Sequence, residues 1–385
     1  MLNVDELLEK YRRLAQSEHD KGSRFELLMK NFLLTYPVYR GKISEVWLWN
    51  EFPFRDELGG KDLGIDLVAK TVDEKFWAVQ CKFYAETTLI DKKSVDSFVS
   101  NSARTFDGDK KFSRRFWIST SDNFTDNAKI TLQNQSPPVE IIDLYKLRRA
   151  QVDWEKLDAG KFGEDAVAKK DLRDYQQEAL DAAQVHYQAN DRGRLIMACG
   201  TGKTFTALKI AEALALEGLI LFLVPSISLL SQTLEEWAAN SVKPLNALCV
   251  CSDATAAQDA DEITDVNLPL PPMTDPVKIA DALNNFRRDR LTVIFSTYQS
   301  IEVVQKLDLT FDLVIADEAH RTAGYGDKDK VFAKVHDDKN IRARRRMYMT
   351  ATPKLFKTDV KESVKEKDLT LWSMDDKKYF RRRIL

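Results

Sequence analysis

A glycine-rich segment between an apolar run and an amphipathic stretch is the feature that most constrains the fold of this chain. It spans Ala198–Thr204, after the apolar run Leu195–Ala198 and before a predicted helix at Phe205–Leu216. A strand that turns through glycines into a helix N-terminus directs backbone N–H groups and the positive end of the helix dipole at one point. The segment therefore predicts a phosphate-binding loop. Met197, in place of the usual first glycine, marks a subtype of that loop.

Short apolar runs alternate with helical stretches from Asp171 onward. The predicted strands are Leu195–Ala198, Leu219–Val224, Leu248–Cys251, Thr292–Ser296, Phe311–Ala316 and Met347–Met349. Strands that alternate with helices predict a parallel sheet covered by helices on both faces. The acidic, proline-containing stretch Ser252–Thr274 is predicted to be a surface loop.

The residues of the phosphate-binding loop have distinct expected roles. Gly200, Thr201 and Gly202 are expected to turn their backbone N–H groups towards the phosphates of ATP. Lys203 is expected to reach the β and γ phosphates, and the Thr204 hydroxyl is expected to ligate Mg²⁺. ATP and Mg²⁺ are thus the predicted cofactors of this half of the chain.

Two adjacent acids, Asp317 and Glu318, directly follow the predicted strand Phe311–Ala316. The carboxyl edge of a parallel sheet is where nucleotides bind, so both carboxylates are placed to serve a magnesium nucleotide. Asp317 is expected to hold the metal, and Glu318 is expected to activate the attacking water. On its own the pair is equally compatible with a helix N-cap. Its position downstream of a phosphate-binding loop favours the nucleotide site.

Several segments in sequence order resemble the first RecA-like domain of superfamily-two helicases of the DEAH type. Besides the phosphate-binding loop and Asp317–His320, they are Leu172–Gln176, Val224–Leu230, Ser296–Ser300 and Thr350–Thr352. The resemblance implies that Arg173, Gln176 and His320 belong to the nucleotide site, with Gln176 at the adenine edge. It also implies that segments 224–230 and 296–300 contact the DNA backbone, and that segment 350–352 couples hydrolysis to movement.

The length of chain after Thr352 bears on the activity that this resemblance implies. Such motors hydrolyse ATP between two RecA-like domains, and the second domain supplies an arginine that accelerates hydrolysis. Too few residues follow Thr352 to form that domain, and Arg381–Arg383 are not expected to replace it. The chain is therefore expected to bind ATP but to hydrolyse it poorly, and to be a fragment or a truncated form of a larger enzyme.

The first 150 residues have a different pattern. The predicted strands are Val46–Phe54, Gly64–Lys70, Phe76–Phe83 and Arg115–Ser119. Phe25, Leu28, Met29 and Phe32 recur at the spacing of a helix that packs on a core. We therefore expect a first α/β domain at 1–150, a charged linker at 151–170 and an ATP-binding domain at 171–385.

Charged side chains on two neighbouring predicted strands form a second candidate site. The period of two puts Gln80 and Lys82 on one face of their strand, and Val79 and Cys81 on the other. Asp66, on the preceding strand, can then converge with Lys82 on one metal ion and one phosphate. Asp66 and the backbone carbonyl of Cys81 are expected to ligate Mg²⁺. Lys82 is expected to position the attacking water and to stabilise the developing charge.

Segments 64–69 and 77–82 resemble the PD-(D/E)xK nuclease fold in its Mrr-like form. In that form a glutamine, here Gln80, stands at the position of the central acid, which makes Gln80 a catalytic and metal-site residue. The resemblance also gives Glu26, on the preceding helix, the role of supplying the missing negative charge. In the alternative, Ser23 and Glu26 form a capping box at a helix N-terminus and Glu26 has no catalytic role.

Together, the two patterns resemble the N-terminal part of type ISP restriction-modification enzymes, in which a Mrr-like nuclease precedes a DEAH-type motor. The resemblance implies an ATP-dependent restriction endonuclease that acts on double-stranded DNA. A methyltransferase and target-recognition module follows the motor in that family, and it would lie in a longer polypeptide here. A DNA repair or anti-phage translocase without nuclease activity is one alternative. A nucleotide-binding regulatory module is another, and an RNA helicase is disfavoured.

The composition adds few constraints. Hydrophobic residues make up 44% and charged residues 31% of the 385 residues, and the net charge of −2 does not mark a nucleic-acid binder. Arg342–Arg346 and Arg381–Arg383 are basic clusters, each equally compatible with a DNA contact and with a solvated charged face. The absence of a signal peptide, of a membrane span of about 18 residues, and of paired cysteines predicts a cytoplasmic protein without a membrane partner.

Overall fold

The computed structural model describes residues 2–60, 63–137, 139–167, 169–251, 268–325, 331–366, 370–376, 379–380 and 383–384. The chain divides into two compact units, Met1–Lys169 and Lys170–Leu385. Most of the predicted surface loop, together with Arg381 and Arg382, lies outside the described residues. Within the described part, no helix has the length and apolar character needed to span a bilayer.

The first unit is built on a five-stranded mixed sheet. Its helices are α1 (Val4–Leu14), α2 (Glu18–Thr35), α3 (Lys92–Asn101), α4 (Asp126–Gln133), α5 (Leu144–Arg149) and α6 (Trp154–Asp158). Its strands are β1 (Ile43–Leu48), β2 (Leu67–Thr71), β3 (Phe76–Lys82), β4 (Phe112–Ser119) and β5 (Val139–Ile142). They lie side by side in chain order. The pairs β1–β2 and β2–β3 are antiparallel, and β3, β4 and β5 are parallel.

Apolar side chains cover both faces of this sheet. On one face α2 packs against β1 and β3. The predicted apolar stripe of α2 is confirmed, since its four members are at most 1% exposed. On the opposite face Phe52, Phe76 and Phe106 form an aromatic cluster together with α3 and α4. The sheet is thereby held between two layers, and the ends of β2 and β3 are fixed in place.

The segment that we expected to be a linker is largely part of the first unit. Trp154 of α6 is only 4% exposed, and its ring stacks on Phe32 with 5.6 Å between centroids. The Asp158 carboxylate accepts hydrogen bonds from Tyr11 at 2.6 Å and Lys10 at 2.5 Å. Helix α6 therefore packs against α1 and α2, and Asp158, one of the charged residues that suggested a solvated linker, stabilises that contact.

The second unit contains a six-stranded sheet. Its helices are α7 (Asp174–Ala189), α8 (Lys203–Ala215), α9 (Ile227–Asn240), α10 (Pro276–Asn284), α11 (Ile301–Gln305) and α12 (Thr358–Glu366). The sheet strands are β6 (Arg192–Ile196), β7 (Leu219–Val224), β8 (Leu245–Val250), β9 (Leu291–Thr297), β11 (Leu313–Ala316) and β14 (Arg346–Thr350). Shorter strands are β10 (Thr310–Phe311), β12 (Gly324–Tyr325), β13 (Arg342–Ala343) and β15 (Leu371–Trp372).

All neighbours in the large sheet are parallel, in the order β6-β14-β11-β7-β9-β8. Trp237 of α9 packs edge-on against Phe222 from one face. Leu221 and Leu223, on the opposite face, join a core that includes Ile301 of α11. The predicted parallel sheet with helices on both faces is therefore confirmed. Parallel strands bring all of their carboxyl ends to one edge, where the candidate nucleotide residues lie.

The cluster Arg342–Arg346 is tied into the second unit by ion pairs and hydrogen bonds, although Arg342 and Arg344 remain exposed. Arg346 is 1% exposed and pairs with Asp338 at 2.7 Å. The other three arginines also contact partners: Asp308 for Arg342, Asp312 for Arg344 and the Leu214 carbonyl for Arg345. Burial gives Arg346 a structural role, whereas Arg342 and Arg344 stay accessible to solvent.

The C-terminal segment is part of the core of the second unit. Strand β15 pairs with β12, and Met374 and Phe380 are fully buried. The Phe380 ring lies 4.9 Å from that of Tyr348 in β14. The Ile384 N–H donates to the Arg194 carbonyl at 2.8 Å, on the edge strand β6.

Candidate nuclease and nucleotide sites

Asp66 lies at the start of β2, and its carboxylate points at the end of β3. Its Oδ2 accepts hydrogen bonds from the Cys81 N–H at 2.6 Å and from Gln80 Nε2 at 3.0 Å. The Asp66 N–H itself donates to the Val79 carbonyl at 2.9 Å. The antiparallel pairing of β2 and β3 therefore fixes this carboxylate beside the predicted Gln80–Lys82 segment.

Gln80 is 1% exposed and Lys82 is half-buried. Gln80 is held tightly: a Cβ added at Gly64, where φ is +74°, would lie 2.9 Å from Gln80 Oε1 and 2.5 Å from Ser97 Oγ. Glycine is therefore required at position 64 both for its backbone conformation and for space. Gln80 orients Asp66 through its amide group, a role that the sequence alone did not indicate.

The charges of Glu26, Asp66 and Lys82 all act on the thiol of Cys81. Burial raises the pKa of the Cys81 thiol well above its usual value, and the nearby Asp66 and Glu26 carboxylates raise it further, while Lys82 opposes them. A protonated, buried thiol is a poor metal ligand. The backbone carbonyl of Cys81 therefore stays the predicted metal ligand of this residue.

The capping-box alternative for Glu26 is wrong. Helix α2 begins at Glu18, and its N-cap is Ser17, whose side chain accepts from the Asp20 N–H. Ser23 and Glu26 therefore lie inside the helix, where no N-terminal N–H groups remain to be capped. The signal that the pattern missed is the earlier cap at Ser17.

The donor set around Asp66 suits a hard divalent cation. The Asp66 carboxylate, the Gln80 amide and the Cys81 backbone carbonyl offer the oxygen ligands that Mg²⁺ prefers. Among the described residues there is no cluster of three or more His, Cys, Asp or Glu side chains able to hold a metal ion. Any metal here would therefore keep water ligands or take oxygens from a phosphate.

Tyr84, two residues after Lys82, was not singled out from the sequence. Burial raises the pKa of its phenol, and the Asp91 and Asp66 carboxylates raise it further. The phenol therefore lies within electrostatic range of Asp66. Its place just beyond the end of β3 is the only sequence signal that could have indicated it.

The phosphate-binding loop has the backbone that its glycines predict. Gly200 and Gly202 have φ values of +76° and +78°, and α8 begins directly after them at Lys203. A Cβ at Gly200 would meet no atom within 4 Å, whereas a Cβ at Gly202 would lie 2.6 Å from Gln176 Nε2. The loop is therefore open on the side of Gly200 and packed on the side of Gly202.

Lys203 and the two acids lie together at the carboxyl edge of the sheet. Lys203 Nζ is 3.2 Å from Glu318 Oε1. Asp317 is 5% exposed and accepts a hydrogen bond from the Glu318 N–H at 2.9 Å. Burial raises the pKa of the Asp317 carboxyl to about 6, against the lowering effects of that hydrogen bond and of Lys203.

Glu318 has a left-handed backbone conformation, with φ of +46°. It precedes a 3-10 turn at Ala319–Thr322, and neither acid caps it with its side chain. The N-cap alternative for the Asp317–Glu318 pair is therefore not supported. A strained conformation in a residue with a Cβ is typical of functional positions.

His320 links the two acids to strand β14. Its Nδ1 lies 3.1 Å from Thr350 Oγ1 and 3.3 Å from Glu318 Oε2. The Thr350 hydroxyl donates to the Thr352 carbonyl, so it accepts from a protonated Nδ1 of His320. Burial lowers the pKa of His320, although Glu318 opposes this. The segments 317–320 and 350–352 are thus in direct contact.

Gln176 ties the start of α7 to the phosphate-binding loop. Its Nε2 donates to the Thr201 carbonyl at 2.9 Å, and its Oε1 accepts from the Arg173 N–H at 3.0 Å. The Arg173 side chain donates to the Tyr175 hydroxyl at 3.1 Å. An adenine edge could reach the Gln176 amide only by sharing or replacing these bonds.

Thr204 is anchored through its backbone. Its carbonyl accepts from Trp237 Nε1 at 3.0 Å, which connects the first turn of α8 to α9. With an open glycine loop, a half-buried ammonium and a buried carboxylate at one sheet edge, the residues present fit a magnesium nucleotide.

Two family models match the chain, one over each unit. Residues 34–164 match Mrr_cat_2, a family of restriction endonucleases, and residues 169–355 match ResIII, the res subunit of type III restriction enzymes. The two matches cover the candidate site residues of both units except Glu26, which precedes residue 34.

Solved structures and curated proteins extend this similarity. A structure of the ATP-dependent type ISP restriction-modification enzyme LlaBIII bound to DNA is 33% identical, with a TM-score of 0.77, over 100% of this chain and 25% of that one. A probable helicase of African swine fever virus, from a Kenyan pig isolate, is 30% identical over 63% of this chain and 27% of its own length. Its counterpart from a Malawian tick isolate is 34% identical over 51% of this chain and 20% of its own length.

This chain spans about a quarter of the length of LlaBIII and of the Kenyan viral helicase. The similarity to type ISP enzymes that the sequence motifs predicted is confirmed along the whole chain. The first unit is therefore similar to a family of restriction endonucleases, and the second unit is similar to the res subunit of type III restriction enzymes.

Proposed function

We propose that this chain is the nuclease and ATP-binding part of an ATP-dependent DNA restriction endonuclease that acts on double-stranded DNA and uses ATP and Mg²⁺. The observation that carries the proposal is the Asp66 carboxylate, held by Cys81 and Gln80 next to Lys82. The full-length similarity to a type ISP enzyme in a DNA complex supports it.

In the first unit, Asp66 would hold Mg²⁺ with the Cys81 carbonyl, Gln80 would position Asp66 or contribute its own oxygen, and Glu26 would add negative charge. A bound Mg²⁺ would polarise the scissile phosphate and lower the pKa of the attacking water. Lys82 would orient that water and stabilise the charge that develops on the phosphate.

In the second unit, Gly200, Thr201 and Gly202 would cradle the phosphates of ATP with their N–H groups. Lys203 would leave Glu318 for the β and γ phosphates, and Glu318 would then be released to orient a water molecule. Thr204 and Asp317 would hold the metal of the nucleotide, and Arg173, Gln176 and His320 would line the site.

We also propose that the chain alone hydrolyses ATP slowly. The described residues after Thr352 include helix α12 and strand β15. Strand β15 pairs with β12 of the second unit, so these residues supply no second RecA-like sheet. The arginine that accelerates hydrolysis, and a methyltransferase with target recognition, would belong to a longer polypeptide.

Cleavage of a double-stranded DNA substrate with and without Mg²⁺ tests the nuclease. Asp66→Ala and Lys82→Ala should each lower cleavage by roughly 10²–10³-fold while binding of the same DNA persists. Lys70→Ala is the matched control, because Lys70 lies on β2 and pairs with Glu74, away from the end of β3.

A DNA-binding translocase without nuclease activity is the second candidate. It is favoured by the absence, in the described part of the chain, of a three-acid metal cluster. Mg²⁺-independent DNA binding that weakens steeply with salt, together with no cleavage by the unsubstituted chain, would establish this alternative and overturn the nuclease proposal.

A further inference from the structure

Tyr298 is a fully buried phenol whose hydroxyl donates to the Asp317 carbonyl at 2.7 Å. Its ring stacks on Phe332 with 5.0 Å between centroids. The two hydrogen-bonded residues are 19 positions apart in sequence, and their strands, β9 and β11, are separated in the sheet by β7. The phenol therefore crosses the end of β7 to reach the candidate nucleotide site.

The carbonyl that Tyr298 holds belongs to the peptide bond between Asp317 and Glu318. Glu318 is the left-handed residue of the site, so the orientation of this peptide sets the direction of the Glu318 side chain. A buried carbonyl is costly without a donor, and the phenol supplies that donor. Tyr298 thus stabilises the conformation that places Glu318 beside Lys203.

Gln299, the residue after Tyr298, lies on the solvent-exposed side of segment 296–300. Its Nε2 donates to the Pro225 carbonyl at 3.3 Å, directly after β7. Thr297 and Ser300 are joined by a hydroxyl–hydroxyl bond of 3.2 Å. A ligand that contacts Gln299 would therefore touch the exposed side of a short, internally bonded turn whose buried side is Tyr298.

We propose that Tyr298 is a positioning residue that couples contact of a nucleic-acid backbone with segment 296–300 to the state of the Asp317–Glu318 peptide. The inference rests on the proposed function, since it requires that the chain binds both ATP and DNA. It also requires the contact between segment 296–300 and the DNA backbone that the resemblance to superfamily-two helicases implies. In this proposal, the hydrogen bond between the Tyr298 hydroxyl and the Asp317 carbonyl links the binding of ATP to the binding of DNA.

The test is a coupling measurement that needs no hydrolysis. The Kd of a short DNA duplex is measured with and without a saturating nonhydrolysable ATP analogue and Mg²⁺, and the Kd of the analogue is measured with and without the duplex. Linkage requires the same factor from both directions, with typical values of about 5–150-fold. Tyr298→Phe removes only the hydroxyl and should bring the factor to within about twofold of unity.

Tyr187→Phe is the matched control. The Tyr187 hydroxyl is also buried and also donates to a backbone carbonyl at 2.7 Å, that of Arg346 at the start of β14. Loss of a buried phenol hydroxyl should lower the thermal stability of both variants to a similar degree. Only Tyr298→Phe should lose the coupling, whereas a purely structural role would give both variants the same coupling factor.

The outcomes separate the inference from the function on which it rests. If the unsubstituted chain bound no DNA or no ATP analogue, the proposed function would fail, and the inference with it. If it bound both ligands but showed no coupling, or if Tyr298→Phe kept the full coupling factor, the inference alone would be overturned.

Discussion

At the scale of single residues, burial decides which side chains are chemically available. His336 is 2% exposed, and it bonds to the Tyr348 hydroxyl through Nδ1 and to the Thr322 carbonyl through Nε2. A carbonyl can only accept, so Nε2 carries the proton and Nδ1 accepts from the phenol. The neutral ring is therefore fixed in one tautomer, and burial lowers the pKa of His336 to about 3.

The first prediction concerns stability against acid. Because the folded pKa of about 3 is below the unfolded value of 6.5, the unfolded chain binds this proton first as the pH falls. The free energy of unfolding should then decrease by about 1.4 kcal/mol for each pH unit below 6.5 from this group alone. In urea unfolding at pH 7 and pH 5, His336→Asn should show a smaller pH dependence than the unsubstituted chain. Equal slopes for the two chains would contradict the assignment.

The second prediction compares two glycines of one loop. Gly200→Ala and Gly202→Ala both place a side chain in the left-handed region, at a cost of roughly 1–2 kcal/mol each. Only the Cβ at position 202 also collides with Gln176. The Gln176 amide is the end of a flexible side chain and can move aside, but it then loses its hydrogen bond to the Thr201 carbonyl. The affinity for an ATP analogue, measured by calorimetry, should therefore fall about fivefold further for Gly202→Ala than for Gly200→Ala. Equal losses would mean that Gln176 does not support the loop.

At the scale of helices and strands, the sequence predicted local features well and long-range ones poorly. β7 lies at the predicted residues, because a run of buried apolar residues between turn signals is a local pattern. The start of α2 was missed, since the Ser23–Glu26 pattern matched a capping box within a helix that already begins at Glu18. The Tyr298–Asp317 bond could not be predicted, because it depends on how non-adjacent strands are ordered.

The third prediction tests the start of α2. Ser17→Ala removes the cap on the Asp20 N–H and should lower the free energy of unfolding by about 1 kcal/mol. Ser23→Ala lies within the exposed side of the helix and should be neutral or slightly stabilising, because alanine is the better helix former. Denaturant unfolding of both variants decides between the two positions. A larger loss for Ser23→Ala would restore the capping-box alternative.

At the scale of the whole molecule, each unit has a hydrophobic core of its own. The nuclease candidates lie in one unit and the nucleotide candidates in the other. The charge pattern could not have indicated where the first unit ends, because residues 151–169 resemble a solvated linker until Trp154 and Asp158 are seen to dock. The two roles left open for the arginine cluster could not be separated from the sequence, since its partners at Asp308, Asp312 and Asp338 are brought near it only by folding.

The fourth prediction follows from these two cores. Leu132 in the first unit and Leu223 in the second are both 0% exposed, so either Leu→Ala change should cost about 2–5 kcal/mol. We expect two calorimetric transitions, with each variant shifting a different one. Binding of an ATP analogue, measured as the temperature rises, should be lost in the transition that Leu223→Ala shifts. Leu132→Ala should leave this binding unchanged. A single transition shifted by both variants would show that the cores unfold together.

The position of Ile384 against β6 has a consequence for how the chain can be shortened. With the polypeptide cut after Thr352, the outer strand of the parallel sheet would lose its covering backbone and would present unpaired N–H and C=O groups to other molecules. The space filled by Met374 and Phe380 would open at the same time. Such a product should self-associate in light scattering even though every nucleotide-binding motif is retained, so the last helicase motif is a poor guide to where this unit can safely be cut.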